Sequence, residues 1–426
     1  MSSIEVIGGG KLKGEIKIQG SKNAALPIIA ATVLNRGITV IRNCPRILDV
    51  FYMINVLKEL GCTADWEGNT LTLDTTLVSS TKVSEGSVQK MRSSILFLGA
   101  LLGRCREVSI AYPGGCSIGK RPIDYHLDSI KRMNVKQEFL GEDKGVIHCY
   151  TDKIVGADIF LKFPSVGATQ NIILTAVLSE GVTRIFNAAR EPEVTELCNF
   201  LLEAGARICG KGTAFIEIEG VKRLHDTEFT LSPDRIVTGT YMAAIAAAGG
   251  DVVLRDIPVR QIGSVIRVMD KIGCKIKATE EYMEISCDKR PLPYEMLKTQ
   301  PYPGFPTDMQ SQLMTVLSLA DGDSTIIEEI FESRYQNVAE LKKMGAKIII
   351  EEAEKKAIIS GVSRLEGAVV KAHDLRAGAA LVIAGLAAQG TTIIREATNI
   401  ERGYEDICRD LSSLGANVRY CSENIV

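Results

Sequence analysis

One short pattern recurs six times along this chain: the end of a helix, then a residue that tolerates a left-handed backbone, then a strand. The residue at the centre of each copy is Gly61, Asn134, Gly205, Gly273, Gly345 or Gly415. Glycine and asparagine are the residues that most readily end a helix in this way. Because the copies lie about seventy residues apart, six of them fill the 426-residue chain. The sequence therefore predicts a fold built from one repeated unit.

Each repeat also contains a run of small or apolar residues that stops at a glycine. These glycines are Gly37, Gly103, Gly181, Gly249, Gly322 and Gly390. A β-rich stretch follows each one, so a repeat reads as helix, strand, loop, amphipathic helix and strand or hairpin. The first helix is apolar on most sides, notably at residues 241–248, whereas strands such as residues 215–219 alternate apolar and polar side chains. We predict an α/β protein with buried helices surrounded by sheets, divided into two lobes of three repeats near residues 226–232.

The composition excludes several classes of partner. Lysine and arginine total 50 and aspartate and glutamate 52, so no overall field favours nucleic acid or an anionic membrane. The longest apolar stretches, such as residues 379–388, fall short of the ~20 residues that a membrane span needs. Eleven cysteines without a C-x-x-C pair are typical of reduced thiols. We expect a cytoplasmic protein that binds neither nucleic acid nor membrane.

Charged residues recur in the loop that opens the first helix of each repeat. These loops carry Ser21-Lys22-Asn23, Met91-Arg92-Ser93, Pro164-Ser165-Val166-Gly167, Pro233-Asp234-Arg235, Pro306-Thr307-Asp308 and His373-Asp374-Leu375-Arg376. Further arginines follow the next strands, at Arg121, Arg190, Arg334 and Arg402. Helix N-termini present free N–H groups, and arginine grips phosphate or carboxylate with two hydrogen bonds. The pattern favours an anion-binding rim, although any one of these cations taken alone is as well explained by a solvated surface charge.

The most distinctive loop runs from Pro113 to Pro122 and contains Cys116. Its glycines indicate an exposed loop, and the adjacent Lys120 and Arg121 favour the thiolate, as in a reactive rather than a structural cysteine. Gly114 to Lys120 matches the phosphate-binding pattern G-x-x-x-x-G-K, but Arg121 stands where magnesium binding needs Ser or Thr. Residues 115–119 match the hydrolase pattern G-x-S-x-G, which requires a single α/β sheet that six repeats contradict. The four histidines show no metal-ligand spacing, so we expect no metal.

Taken together, several of these segments closely resemble the enolpyruvyl transferases that act on UDP-N-acetylglucosamine and open bacterial peptidoglycan synthesis. The segments are Lys22-Asn23, Pro113 to Pro122, Ser165 to Thr169, Phe305 to Gln310, Asp374 to Arg376 and Arg402 to Glu405. The resemblance runs from Lys11 to about Gly415. It implies a two-lobed inside-out α/β barrel, with residues 21–232 in the first lobe and residues 1–20 and 233–426 in the second. The active site is then expected in the cleft between the lobes.

The implied reaction is transfer of the enolpyruvyl group of phosphoenolpyruvate to the 3'-hydroxyl of UDP-N-acetylglucosamine, with release of phosphate and without a cofactor. The substrates are small molecules, and we expect a monomer. The residues implied to act in catalysis are Cys116 as the acid and Asp308 as the base, with Lys22 and Arg402. Those implied to bind phosphoenolpyruvate are Lys22, Asn23, Arg121, Arg376 and Arg402. Those implied to bind the UDP-sugar are Asn23, Arg92, Arg121, Pro122, Ile123, Asp124, Tyr125, Ser165, Val166, Gly167, Asp308, Ile330 and Arg334.

Three other interpretations stay open at this point. The shikimate-pathway enolpyruvyl transferase shares the implied fold but has no cysteine loop of this kind. A hydrolase with Cys116 or Ser117 as the nucleophile would release pyruvate or phosphate without a sugar acceptor. A non-catalytic anion-binding clamp is compatible with the repeats alone. One departure from the resemblance is local: some members carry a lysine at the position of Phe163, so a substrate contact from the preceding Lys162 does not follow.

Overall fold

The computed structural model describes residues 2–112, 123–141 and 145–422. Cys116, Arg121 and Pro122, which the sequence places in the site, lie outside the described residues. The described chain divides into two compact units. The first unit contains residues 20–112 and 123–232, and the second contains residues 2–19 and 233–422. A separate hydrophobic core fills each unit.

Three helices are buried along almost their whole length in each unit. In the first unit they are Lys22–Ala31, Leu96–Cys105 and Val166–Ala176, and in the second they are Arg235–Ala248, Gln310–Leu317 and Leu375–Ala387. Alanine, glycine and leucine are frequent in four of these helices, whereas Val166–Ala176 and Gln310–Leu317 also bury polar side chains such as Asn171 and Gln312. All six helices are shielded from water on nearly every side. Short residues at the contacts allow the helices to pack closely against one another.

The second helix of each repeat is amphipathic. These helices are Leu48–Glu59, Asp124–Arg132, Pro192–Glu203, Gly263–Lys271, Val338–Lys343 and Ile407–Ser413. The second residue after each helix has a positive φ in all six repeats, from 68° at Asn134 to 104° at Gly273. Only residues that adopt the left-handed region without a large steric cost fit there. The predicted left-handed helix ends are confirmed.

Within the described residues, six four-stranded sheets surround the buried helices, three in each unit, and all six have one topology. An outer strand runs parallel to the second strand, and the two remaining strands follow antiparallel. The sheets of the first unit contain Thr227–Thr230, Ile38–Arg42, Thr70–Asp74 and Thr63–Glu67; Lys82–Val83, Glu107–Ala111, Val146–Tyr150 and Lys136–Leu140; and Asp158–Phe160, Val182–Phe186, Phe215–Glu219 and Arg207–Cys209. Those of the second unit contain Leu12–Lys17, Gly250–Arg255, Tyr282–Cys287 and Lys275–Ala278; Leu297–Thr299, Asp323–Glu328, Lys356–Ser360 and Lys347–Glu351; and Val369–Lys371, Thr391–Arg395, Ser2–Ile7 and Asn417–Ser422.

The N-terminal segment completes two sheets of the second unit. Ser2–Ile7 pairs with both Thr391–Arg395 and Asn417–Ser422, and Leu12–Lys17 pairs with Gly250–Arg255. The turn between these two strands contains Gly8, Gly9 and Gly10, as expected for a turn rather than a dinucleotide site. Shorter elements include the helices Glu85–Lys90 and Thr398–Glu401, the strands Leu365–Glu366 and Ala388–Gln389, and the 3-10 turns Thr32–Leu34, Arg92–Ile95, Val259–Gln261, Thr307–Met309 and Glu352–Glu354.

Each of the described helices is too short or too polar to cross a lipid bilayer. The ten described cysteines are all free thiols, and seven of them are buried.

Candidate active site

The three buried helices of the second unit begin at equivalent aspartates, but only two of these aspartates cap their helices. Asp234 accepts hydrogen bonds from the N–H groups of Ile236 and Val237, so it caps its helix. Asp374 caps the third helix in the same way, through the N–H groups two and three residues ahead. Asp308 lies in the 3-10 turn Thr307–Met309, and no side chain caps either this turn or the helix that follows. Its carboxylate is therefore available for other contacts.

That carboxylate is held between two arginines. Arg334 Nη2 donates to Asp308 Oδ1 at 2.7 Å, and Arg376 Nη2 donates to Asp308 Oδ2 at 2.9 Å. The two arginine side chains are only 3% and 6% exposed, whereas Asp308 remains 27% exposed. A carboxylate with one buried guanidinium on each oxygen is well oriented and still reachable from solvent.

The charges fix the ionisation of this cluster. Burial alone would raise the pKa of Asp308, but the charges of Arg376, Arg334 and Arg235 outweigh it and hold the pKa well below the usual carboxyl range. Burial lowers the pKa of Arg376, and Asp308 more than reverses this effect, so its pKa lies above the usual value. Both groups are ionised at neutral pH.

Glu328 fixes the loop on which this cluster depends. It is completely buried, and its Oε1 accepts hydrogen bonds from the N–H groups of Ile330 and Phe331 at 2.9 and 3.1 Å. The hydroxyl of Thr307 donates to both oxygens of the same carboxylate at 3.0 Å. One side chain thus ties Ile330 to the turn that carries Asp308.

Arg376 also belongs to a buried polar chain on the core side of the cluster. Tyr404 lies beside it, with its hydroxyl 2.8 Å from Thr240 Oγ1, which in turn accepts from Gln312 Nε2 at 3.2 Å. Burial raises the pKa of Tyr404, so the phenol is neutral at neutral pH. The half-exposed Arg402 follows the short helix Thr398–Glu401, two residues before Tyr404.

In the first unit, Lys22 is buried at the start of the helix Lys22–Ala31. Its Nζ lies 2.8 Å from Asp49 Oδ2, and the two side chains are almost completely buried. Ser21 caps the helix by accepting from the N–H of Ala24, and the half-buried Asn23 follows. A buried ammonium that is fixed by one carboxylate keeps donor capacity for a second anion.

The third buried helix of this unit begins at Ser165, whose hydroxyl accepts from the N–H of Ala168. Ser165, Val166 and Gly167 are all half-buried. His126 lies against Gly167, where an added Cβ would come within 3.1 Å of the imidazole. The His126 ring nitrogen Nδ1 is 2.8 Å from the amide Nδ2 of the buried Asn171, so it accepts that hydrogen bond.

The remaining predicted sugar-binding residues of this unit lie on two short elements. Ile123 is buried, Asp124 is exposed and Tyr125 is half-buried at the start of the helix Asp124–Arg132. That helix contacts Val166–Ala176, and His126 in its first turn lies against Gly167. The starts of the two helices are therefore close together. Arg92, half-buried, opens the 3-10 turn Arg92–Ile95.

Comparison with known proteins agrees with the predicted family along nearly the whole chain. The sequence profile of the family described as EPSP synthase (3-phosphoshikimate 1-carboxyvinyltransferase) matches residues 6–411. A UDP-N-acetylglucosamine 1-carboxyvinyltransferase 2 from Caldanaerobacter subterraneus subsp. tengcongensis is 46% identical, with 98% of this chain and 99% of the relative covered. A UDP-N-acetylglucosamine 1-carboxyvinyltransferase from Nitratidesulfovibrio vulgaris is 42% identical over the same shares. The chain belongs to the family of UDP-N-acetylglucosamine 1-carboxyvinyltransferases.

Solved structures confirm the predicted fold class of this family. The enolpyruvyl transferase NikO from Streptomyces tendae superposes with a TM-score of 0.89 at 23% identity, covering 98% of each chain. An EPSP synthase from Acinetobacter baumannii superposes with a TM-score of 0.73 at 17% identity, covering 99% of this chain and all of that one. At these identities the likeness concerns the fold alone.

The structure brings together some of the residues that the sequence selects. Asp308, Arg334 and Arg376 form one cluster, and Ile330 is tied to it by Glu328. Lys162 and Phe163 are both exposed ahead of Ser165. Sequence reasoning missed four side chains that fix the site, which are Asp49, His126, Glu328 and Asn171. Each of them acts through a contact distant in sequence, and only the acidic first turn of Leu48–Glu59 gave a signal for one of them.

Proposed function

We propose that the chain transfers the enolpyruvyl group of phosphoenolpyruvate to the 3'-hydroxyl of UDP-N-acetylglucosamine and releases phosphate, the first committed step of peptidoglycan synthesis. Family membership supports the reaction class, since the relatives carry this substrate in their names. The observation that carries the proposal is the carboxylate of Asp308, which no helix end uses and which two buried arginines orient. Such a group is suited to take a proton from a hydroxyl at a fixed position.

Phosphoenolpyruvate brings a carboxylate and a phosphate, and the proposed ligands are cationic or polar. They are Lys22, Asn23, Arg121, Arg376 and Arg402. Buried cations act strongly on such a substrate because little water screens them. Lys22 in particular is preoriented by Asp49, so it loses little side-chain entropy on binding.

The proposed ligands of the UDP-sugar include two helix starts. Ser165, Val166 and Gly167 open one buried helix, and Asp124 and Tyr125 open the neighbouring one. N–H groups at helix starts are well placed for diphosphate oxygens. Asn23, Arg92, Arg121, Pro122, Ile123, Asp308, Ile330 and Arg334 complete the proposed set.

The proposed reaction is an addition followed by an elimination. Cys116 gives its proton to the methylene carbon of phosphoenolpyruvate, Asp308 takes the proton of the sugar hydroxyl, and the hydroxyl oxygen bonds to the neighbouring carbon. The Cys116 thiolate then takes a proton from the methyl group of the tetrahedral adduct, which restores the enol double bond and expels phosphate. The proton held by Asp308 passes to the departing phosphate. In a side reaction the Cys116 thiol adds across the double bond of phosphoenolpyruvate, so that sulfur bonds to the phosphate-bearing carbon and a proton is added to the methylene carbon. An epoxide that alkylates thiols, such as fosfomycin, is then an inactivator.

The electrostatics of Asp308 add a condition to this sequence of steps. A carboxylate whose pKa lies well below the usual range is a poor base, because it holds a proton weakly. Arg376 is the largest charge that lowers that pKa and is also a proposed ligand of phosphoenolpyruvate. When the substrate anion accepts hydrogen bonds from Arg376, it offsets this charge, and the pKa of Asp308 rises. Phosphoenolpyruvate thereby makes Asp308 a better base for the sugar hydroxyl.

The proposal places the reaction in the cytoplasm, because free thiols are typical of a reducing compartment. We propose that the enzyme is a monomer that acts on small molecules. Through synthesis of the cell wall it contributes to cell shape, growth and division.

The test is phosphate release from phosphoenolpyruvate with either UDP-N-acetylglucosamine or shikimate 3-phosphate as acceptor. We expect release with the UDP-sugar and a product that carries the enolpyruvyl group on its 3'-oxygen. Release without any acceptor would identify a hydrolase, release only with shikimate 3-phosphate would identify the other transferase, and binding without release would leave an anion-binding clamp. Each of these three results would refute the proposal.

A further inference from the structure

A cavity of about 1220 Å³ lies at the end of the first unit where its three buried helices terminate. Its lining includes Asn35 after the first helix, Gly103 near the end of the second and Leu178 after the third. The proposed ligands Lys22, Arg92 and Ser165 lie at the opposite, N-terminal ends of the same helices, and no described residue of the lining is among the proposed ligands. The cavity is large enough for a drug-sized metabolite.

Two of the cations in the cavity have a structural task. Arg104 donates to the carbonyl oxygens of Val33, Asn35 and Thr75 at 2.9, 2.6 and 2.6 Å. Arg106 donates to the carbonyl oxygens of Gly103 and Leu178 at 2.7 and 2.8 Å. Helix C-termini carry about half a negative charge each, which these guanidiniums offset. The helix ends therefore do not repel an anion as unpaired carbonyls would.

Three further cations have no such task. The side chains of Arg36, Lys222 and Arg223 are exposed on the cavity lining and make no hydrogen bond or ion pair with any residue that the structure describes. The two acids of the lining are already engaged. Glu180 is paired with Lys153, and Asp226 accepts from the N–H of Ile38 and the amide of Asn35.

Comparison with the second unit shows that the fold does not require a cation at the position of Lys222. There, Gly8 and Gly9 donate to the carbonyl oxygens of Gly390 and Leu386. In the first unit, Gly220 and Val221 make the same two bonds, to Gly181 and Val177. The residues after Gly9 are Gly10 and Lys11, whereas those after Val221 are Lys222 and Arg223, so Lys222 is the cation that has no equivalent in this repeat.

Two observations favour a ligand in this cavity. Burial lowers the pKa of Arg104, and the proximity of Arg36 lowers it further, so the two guanidiniums repel each other. Ser179, on the lining, is only 5% exposed, and its hydroxyl finds no hydrogen-bond partner in the described part of the chain. A buried hydroxyl without a partner costs free energy unless a ligand or water satisfies it.

We propose that this cavity binds a small anion that carries two or more phosphate groups, held by Arg36, Lys222 and Arg223. Guanidinium and ammonium groups prefer phosphate oxygens, and a phosphate between Arg36 and Arg104 would remove their repulsion. Ser179 also lines the cavity, and rotation of its side chain would bring a neutral donor to the same anion. The site is separate from that of the proposed reaction and does not rest on it.

The test measures the binding of inorganic pyrophosphate to the full-length protein by isothermal titration calorimetry at low ionic strength. We expect a site whose affinity falls about tenfold or more in the double variant Lys222→Ala/Arg223→Ala and in Arg36→Ala, because charged hydrogen bonds are lost. The matched control is Lys58→Ala/Lys131→Ala, which removes the same charge from exposed lysines outside the cavity and should bind as the wild type does.

Pyrophosphate at the proposed active site is distinguished by Lys22→Ala, which should leave the cavity site intact. Circular dichroism establishes that each variant is folded. The proposal is overturned if the double variant and the wild type give superimposable isotherms, if the control loses as much affinity, or if all pyrophosphate binding disappears in Lys22→Ala.

Discussion

Replacement of Asp308 by asparagine tests the central claim about the site. Asp308→Asn keeps the size of the side chain and one oxygen acceptor, but its amide group faces a guanidinium where the second oxygen stood. If Asp308 is the base, kcat should fall by roughly 10²-fold or more, the usual contribution of general-base catalysis. The affinity for UDP-N-acetylglucosamine should change much less, since the other proposed contacts stay.

The same change has a structural cost that must be separated from the catalytic one. Arg334 and Arg376 are 3% and 6% exposed and would lose their counter-charge. Breaking a fully buried pair costs about 3–5 kcal/mol, and the 27% exposure of Asp308 reduces this to about 1–3 kcal/mol of unfolding free energy. A loss of that size leaves a stable protein folded at 25 °C, so kcat can be read directly.

The matched control is Asp374→Asn, the same substitution at an equivalent helix start. Asparagine also caps helices, so the bonds from the N–H groups of Arg376 and Ala377 should persist and activity should stay near that of the wild type. The assay is steady-state phosphate release, with the Kd for the UDP-sugar measured by calorimetry. The reasoning fails if Asp308→Asn keeps kcat within about threefold of the wild type, or if the control loses as much activity.

Three further predictions concern pH, Lys22 and Cys116. The pKa of Asp308 is depressed in the folded protein, so its stabilising effect should be complete above the ordinary carboxyl pKa of about 3.9 and lost as pH falls through the folded-state pKa. The free energies of unfolding of the wild type and Asp308→Asn, measured by chemical denaturation, should therefore differ by a constant amount from pH 5 to 8 and converge in strong acid. Lys22→Ala should lower kcat/KM for phosphoenolpyruvate about 10- to 100-fold, and it leaves Asp49 as a buried anion. The double variant Lys22→Ala/Asp49→Asn removes that anion and should recover part of the lost kcat/KM. Equal kcat/KM values in the single and double variants would contradict the electrostatic account. Cys116→Asp should keep activity, shifted toward acidic pH, and should resist fosfomycin, whereas Cys116→Ala should be nearly inactive. If both variants are folded and bind the UDP-sugar but are equally inactive from about pH 5 to 8, the thiol must act as a nucleophile rather than only as an acid.

The architecture could be predicted from the sequence because it repeats. A left-handed residue after each amphipathic helix is a local requirement, and Asn134 satisfies it as well as the five glycines do. The apolar circumference of the buried helices is equally local. Six copies of these signals, each weak by itself, reinforced one another.

The contacts that position the site could not be predicted in this way. Asp49 meets Lys22 from another helix, and Glu328 reaches Thr307 and Ile330 through a buried carboxylate at the end of a strand. A buried carboxylate in a strand has no periodic signature, since its presence is explained only by the donors that surround it. Whether the remaining predicted residues contact substrate stays a prediction.

The departures from the repeat are more informative than the repeat itself. Four of the six buried helices begin at a residue whose side chain caps the helix: Ser21, Ser165, Asp234 and Asp374. The other two are preceded by 3-10 turns without a side-chain cap, and those turns carry Arg92 and Asp308. These are the middle repeats of the two units.

A side chain that caps a helix has used its hydrogen bonds on the backbone, whereas Arg92 and Asp308 do not cap a helix end. The two turns thus give up the stabilisation of a cap, about 1 kcal/mol each, and place a charged group at the N-terminal end of a rigid buried helix. Preorganised charge of this kind is what binding and proton transfer need. We therefore expect the middle repeat of each unit to contribute more to recognition of the sugar than the repeats whose buried helices begin with a side-chain cap.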